Sequence, residues 1–352
     1  MSIDIGICGE GRPDPRMEGE TGHELIRRLC EGPVDIESIE PELLEAFRKM
    51  NAIRTDGSQC FLNFTCFLKK DIEHLNDICD GLGRDLARAV ARCLGDRSHD
   101  VTFGEVEREK YLFFLVGCVS LDWHGLKTLK RLGLTLGPDE MEKPGYGRFT
   151  LFANERVQGN VKELYWGSHN STHGDYVFTT FGDHDSMRVS FPDLIWHLRA
   201  VSRLEIAESI LCDMTDNYLQ EVGDLLKSRE FAHSTTTRIL RELHFIKDDR
   251  LNIPVITVHD MASVKPVIDA VDKAVGTWLR EHSDELRHVF ADVTPVRVGV
   301  DFREVLIQLW HYIFGHTNKH LCRMGALFNP YSESSDWPGY LPVVWEKGCD
   351  LS

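Results

Sequence analysis

The sequence predicts a mainly helical α+β protein, built from one unit used twice with a β-rich insert between the copies. Three observations carry this. Pro144-Gly145-Tyr146 reappears as Pro338-Gly339-Tyr340. The residues before each copy match at a constant spacing of 192: His124 with His316, Lys127 with Lys319, Leu129 with Leu321, Leu132 with Met324, and Pro138 with Pro330. Farther back, Ile72, Leu75 and Leu82 match Val264, Val267 and Ala274 at the same spacing, and Ile53 matches Ile246 at 193. A self-match of this length implies one structural unit used twice, and two copies in one chain make a pseudo-dimer.

Four segments follow from the repeat: an arm over 1–20, a first copy over 21–152, an insert over 153–211 and a second copy over 212–352. The Gly- and Pro-rich arm reads as loose. Its Gly6, Gly9 and Gly11 resemble a nucleotide-binding loop only superficially, because Arg12-Pro13-Asp14-Pro15 does not open a helix. In the first copy, Gly22–Cys30 and Ile39–Met50 have helical periodicity. A turn at Asp56-Gly57 precedes an apolar strand over Cys60–Phe67, and long helices follow at about Lys70–Leu94 and Phe103–Leu132. In the insert, Glu163–Trp166, Tyr176–Phe181 and Met187–Val189 predict a small antiparallel sheet. A helix from Phe191-Pro192 runs to about Leu211. The second copy repeats the pattern: helices over Asn217–Lys227 and Ser234–Leu243, a strand pair within Phe245–Val258, then long helices over Val264–Val289 and Phe302–Met324.

The bulk composition narrows the function. With 352 residues, 42% hydrophobic and 27% charged, the chain reads as an ordinary globular protein with room for two or three domains. Its apolar runs, such as Tyr111–Val119, are too short to span a membrane, and Met1–Gly22 lacks the apolar core of a secretory signal. None of the ten cysteines forms a C-x-x-C pair. Their mostly apolar settings predict reduced thiols in a cytoplasmic protein. A net charge of −16 argues against a broad nucleic-acid-coating surface and leaves room only for a local basic patch.

One stretch supplies such a patch. From Phe231 to Ile246 the chain reads FAHSTTTRILRELHFI. Ser234 is a good helix N-cap, Thr235, Thr236, Thr237, Arg238 and Arg241 fall in the first two turns, and Ile239, Leu240 and Leu243 form the inward stripe. Asp248-Asp249-Arg250 reads as a hairpin tip, with Ile253–Val258 as the return strand. Between Lys227 and Arg250 six cations meet four acids. This stretch resembles the recognition helix and wing of a winged helix-turn-helix domain. The resemblance covers about 45 residues in each copy and implies that Arg238, Arg241 and Arg250 meet phosphates or base edges of duplex DNA while the threonines position the helix. The first copy departs from it. Its matching helix carries Glu40, Glu42 and Glu45, which repel phosphate, and leaves only Arg48, Lys49 and Arg54 at the far end.

Two further clusters are candidates. His169, His173 and Asp175, with His184 beyond, are of the type that ligates zinc or another divalent metal. A simple meander, however, puts His169–His173 and Asp183–Asp185 at opposite ends of the sheet, and both groups read equally as polar turns. The repeated His124 and His316, with Trp166, are candidate pocket residues for a small-molecule effector. The leading expectation is therefore a transcription regulator that binds DNA, responsive to a ligand or metal. The alternatives are a winged-helix scaffold that binds a protein partner and a metal-dependent enzyme using the insert histidines.

Overall fold

A computed structural model describes residues 3–95, 105–155, 166–183, 208–232 and 234–351. Helices of up to 29 residues combine with small sheets, so the architecture is α+β. The chain divides into two compact units, each drawn from three segments. The first is Met1–Leu82, Leu126–Val161 and Thr277–Ile313; the second is Gly83–Gly125, Lys162–Gly276 and Phe314–Ser352. Three of the division points fall inside the long helices Lys69–Gly95, Met261–Val289 and Phe302–Arg323.

In the first unit, β1 (Ile3–Gly11) pairs antiparallel with β7 (Gly147–Glu155) along its whole length. The chain here is a paired strand, not the loose arm its composition predicts. The glycines explain the difference. A Cβ on Gly6 would lie 2.3 Å from the Phe152 ring, and one on Gly9 would lie 2.4 Å from the Arg148 carbonyl oxygen. They let the strand approach closely. Helix α1 (Glu20–Glu31) buries Leu25, Ile26 and Leu29, and α2 (Pro41–Lys49) starts on Pro41 and buries Leu43, Leu44 and Phe47. A hairpin of β3 (Ile53–Asp56) and β4 (Gln59–Leu62) turns at Gly57-Ser58, and β2 (Val34–Asp35) adds to β4. The apolar run Cys60–Phe67 is thus split. Its end forms β5 (Thr65–Phe67), which pairs parallel with β7 in a different sheet. β6 (Glu142–Lys143) adds to the start of β7.

In the second unit, β8 (Trp166–His173) and β9 (Tyr176–Asp183) form a hairpin whose second strand pairs with β13 (Tyr340–Glu346). β12 (Val255–Ile256) joins β13 in parallel, completing a four-stranded sheet. The hairpin is therefore not the self-contained sheet the insert predicts. All eight residues of β9 are buried, so it needs a neighbour on each edge and cover on each face. Met187–Val189 lie outside the described residues, as does the helix expected from Phe191-Pro192 to about Leu211 except for its last residues, which belong to the helix Glu208–Ser228. The return strand expected over Ile253–Val258 is also redistributed. The expected wing is a short hairpin of β10 (Ile246–Lys247) and β11 (Arg250–Leu251), while β12 leaves for the larger sheet after Pro254, which has no N–H to extend a ladder.

Helix α3 is Lys69–Gly95. Helix α4 (Arg108–Leu112) continues as a twelve-residue π-helix, Phe113–His124, and then as α5 (Gly125–Arg131). π-Helical geometry is usually a single turn. By length and composition Arg108–Arg131 is able to cross a membrane, but 78% of its most apolar window is buried in the protein. After α6 (Pro138–Met141), the later helices are α7 (Glu208–Ser228), α8 (Thr235–Glu242), α9 (Met261–Val289), α10 (Thr294–Arg297) and α11 (Phe302–Arg323). Among the described residues, no disulfide joins the nine cysteines other than Cys212.

Candidate nucleic-acid interface

Helix α8 starts where its cap residue predicts. Ser234 Oγ accepts the Thr237 N–H at 3.0 Å. Ile239 and Leu240 point inward, and Thr235 and Arg238 are exposed. Thr237 differs from its expected role. It is fully buried, with its hydroxyl 3.0 Å from Ser234 Oγ, so it closes the cap and does not face outward. Thr236 is half-buried.

Asn252 ties the hairpin to the turn that follows this helix. Asn252 donates from its backbone N–H to the Phe245 carbonyl and from Nδ2 to the His244 carbonyl, both at 2.8 Å. Lys110 Nζ donates to Asn252 Oδ1 at 2.6 Å, and Trp337 Nε1 donates to the Leu243 carbonyl at 3.3 Å. Burial lowers the pKa of Lys110 from its ordinary value, while Glu107 and Asp336 counter that shift. The two-residue turn Asp248-Asp249 has φ of 49° and 58°, the left-handed pair that a tight hairpin of this hand requires.

The cations are not equivalent. Among the described residues neither Arg238 nor Arg250 has an ion-pair partner, and both are exposed. Arg241 instead donates from Nη2 to Asp249 Oδ1 at 2.6 Å and is turned towards the wing tip. Exposed pairs of this kind contribute about 0–1 kcal/mol. Asp249→Asn is therefore expected to leave urea stability within about 1 kcal/mol and, as the recognition-helix resemblance implies, to strengthen duplex binding by releasing Arg241. An unchanged or weaker affinity in a fluorescence anisotropy titration contradicts this.

In the first unit, α2 and the β3–β4 hairpin occupy the same order along the chain. Glu40, Glu42 and Glu45 are exposed. Arg48 is exposed, Lys49 pairs with Glu45 at 3.6 Å, and Arg54 stacks over the Phe61 ring at 4.4 Å.

The two described insert histidines, His169 and His173, are spread along one strand. His169 is exposed on β8, and His173 is buried, hydrogen-bonded to Ser171 Oγ. Four residues of strand separate them by about 13 Å. Asp175 follows in the turn and donates its N–H to Gln220 Oε1, whereas Asp183 sits at the other end of the hairpin opposite Trp166. His184 lies outside the described residues, as do Asp185 and His233. Among the described residues no three His, Cys, Asp or Glu side chains come together to hold a metal ion.

The candidate pocket residues also separate. Trp166 is fully buried between the rings of Phe113 and Phe181, so it belongs to the core. His316 is buried, its Cβ lying 2.7 Å from where a Cβ on Gly83 would stand. His124 is half-buried, and its Nδ1 is 2.7 Å from Asp272 Oδ2. Asp272 was not legible as a site residue, yet it stands 192 after Asp80, the spacing that joins His124 to His316.

The π-helix carries a second group that sequence reasoning missed. Trp123 Nε1 donates to Ser168 Oγ at 2.8 Å, and that hydroxyl donates to Asp122 Oδ2 at 3.1 Å. Burial pushes the Asp122 carboxyl up to about 7, against the opposing pull of the Ser168 hydrogen bond. The unfolded carboxyl titrates near 3.8. The stability this group contributes is thus complete below about pH 4 and lost as pH rises through about 7, by up to about 4 kcal/mol. Asp122→Asn is expected to flatten the fall in urea stability between pH 5 and pH 8. An unchanged slope contradicts the assignment.

No protein-family model, curated protein or solved structure matches this chain.

Proposed function

We propose that the chain is a DNA-binding regulator, an intrachain pseudo-dimer of winged-helix units in which only the second unit reads duplex DNA. The observation that carries this is the pair of exposed cations Arg238 and Arg250, without an ion-pair partner among the described residues, with Thr235 at the start of α8 and the hairpin hydrogen-bonded beside it. A helix start and a hairpin tip bearing cations fit a groove and its flanking phosphates.

The duplication is supported by order and topology. In each half, two helices, a hairpin with a two-residue turn and a long helix precede Pro-Gly-Tyr. The strand after each Pro-Gly-Tyr pairs in parallel with the strand after the hairpin, β5 with β7 and β12 with β13. The exposed carboxylates of α2 oppose phosphate, so the expected target is one half-site.

A specific observation favours a second reading, a scaffold that binds a protein. Asp248 and Asp249 form the wing tip, and Asp249 holds Arg241. Selection from random duplexes at low and moderate salt separates the two. An enriched motif with salt-sensitive retention supports the DNA reading, and no retention at low salt overturns it in favour of the scaffold.

A further inference from the structure

The larger sheets of the two units share a topology and differ at one edge. In each, the strand after Pro-Gly-Tyr pairs in parallel with the strand after the hairpin, β7 with β5 and β13 with β12. On its other side it pairs antiparallel with one long strand, β1 in the first unit and β9 in the second. β1 and β9 therefore hold the same place. β9 has a further antiparallel neighbour, β8. β1 has none among the described residues. Solvent exposure follows this difference. All eight residues of β9 are buried, whereas Asp4 and Gly9 of β1 are exposed and Ile5, Gly6, Ile7 and Cys8 are half-exposed.

An open edge of this length is a template for another strand. β1 runs for nine residues without a proline, and its only charged residues are Asp4 and Glu10. Side chains alternate along a strand. Cys8 Sγ is 3.9 Å from His311 Nε2, which places Asp4, Gly6 and Cys8 on the side of α11 and Ile3, Ile5 and Ile7 on the opposite side.

We propose that the open edge of β1 takes the β1 strand of a second copy of this chain, antiparallel, so that the sheet continues across a two-fold axis. The strand's own residues favour a second copy, because they complement themselves. Directly opposite residues of an antiparallel pair share a face. Centring the pair on Gly6 sets Ile5 of one copy against Ile7 of the other, twice, and Asp4 against Cys8. Centring it on Ile7 would instead set Asp4 against Glu10, and like charges directly opposite are destabilising. A two-fold pair uses both open edges, so assembly stops at the dimer. The strand that β8 adds beside β9 within one chain is added beside β1 by the other copy. This interface stands independently of the DNA reading.

Sedimentation equilibrium of the full chain tests it. The wild type is expected to dimerise at concentrations up to about 0.1 mM. Ile5→Lys should weaken the dimer by about tenfold or more, because it sets a cation against isoleucine at two places, with an unchanged circular dichroism spectrum. If that variant does not fold, Ile7→Glu replaces it. The double variant Ile5→Lys/Ile7→Glu should restore the dimer, since each new charge then faces its opposite in the other copy. A merely destabilised fold would not recover in this way. A wild type that stays monomeric overturns the proposal and leaves the edge to a strand of a different protein. A dimer that the folded single variant leaves equally tight overturns it as well, and so does a double variant that remains monomeric.

Discussion

Arg238→Ala is expected to weaken binding to the selected duplex by about 1–3 kcal/mol and to relax preference at one base position, if its guanidinium reads a base edge. Arg250→Ala, at the wing tip, is expected to weaken binding alike on all sequences and to reduce the slope of log affinity against log salt by about one. The contrast arises from position. Arg238 lies one turn into α8, on the exposed side opposite Ile239 and Leu240, while Arg250 follows the Asp248-Asp249 turn. Both are exposed without an ion pair among the described residues, so their removal should change folding stability by no more than about 0.5 kcal/mol. Anisotropy titrations at three salt concentrations check both variants. Wild-type affinity and slope in each would remove α8 and the wing from the interface.

Trp166→Ala is expected to cost about 3–5 kcal/mol in denaturant unfolding. Trp166 is fully buried, with ring centroids 5.8 Å from both Phe113 and Phe181 and 6.1 Å from Tyr331. Removing the indole opens a cavity at the point where β8 meets the π-helix, and the surrounding rings cannot collapse into it without breaking their own contacts. A ligand platform at this position would behave differently, because a side chain that lines an opening leaves less packing behind when truncated. A loss under about 1 kcal/mol would return Trp166 to the candidate pocket.

Much of the candidate helix and hairpin was legible in the sequence because its determinants are local. Ser234 followed by three threonines announces a helix start, and Ile239 and Leu240 announce the side that turns inward. The two-residue turn at Asp248-Asp249 was equally readable, since few residues accept left-handed φ. The fate of the cations was not. Arg241 and Asp249 are eight residues apart, and only the angle between helix and wing brings them to 2.6 Å.

The sequence by itself determined the long helices, because helical bonds join residues four apart and the apolar period is written in each segment. Val264–Val289 and Phe302–Met324 were readable to within a few residues of α9 and α11. Only the tertiary structure decided which strands pair. β1 finds β7 across more than a hundred residues, β12 finds β13 near the far end of the chain, and β9 lies between β8 and β13. Sheet bonds carry no fixed sequence separation, so a strand's neighbour depends on where helices and turns deliver it. The same holds for Glu304, and for His124 and Asp272. Each side chain is unremarkable in its own segment: burial pushes the Glu304 carboxyl up to about 8, and the fold sets His124 Nδ1 2.7 Å from Asp272 Oδ2.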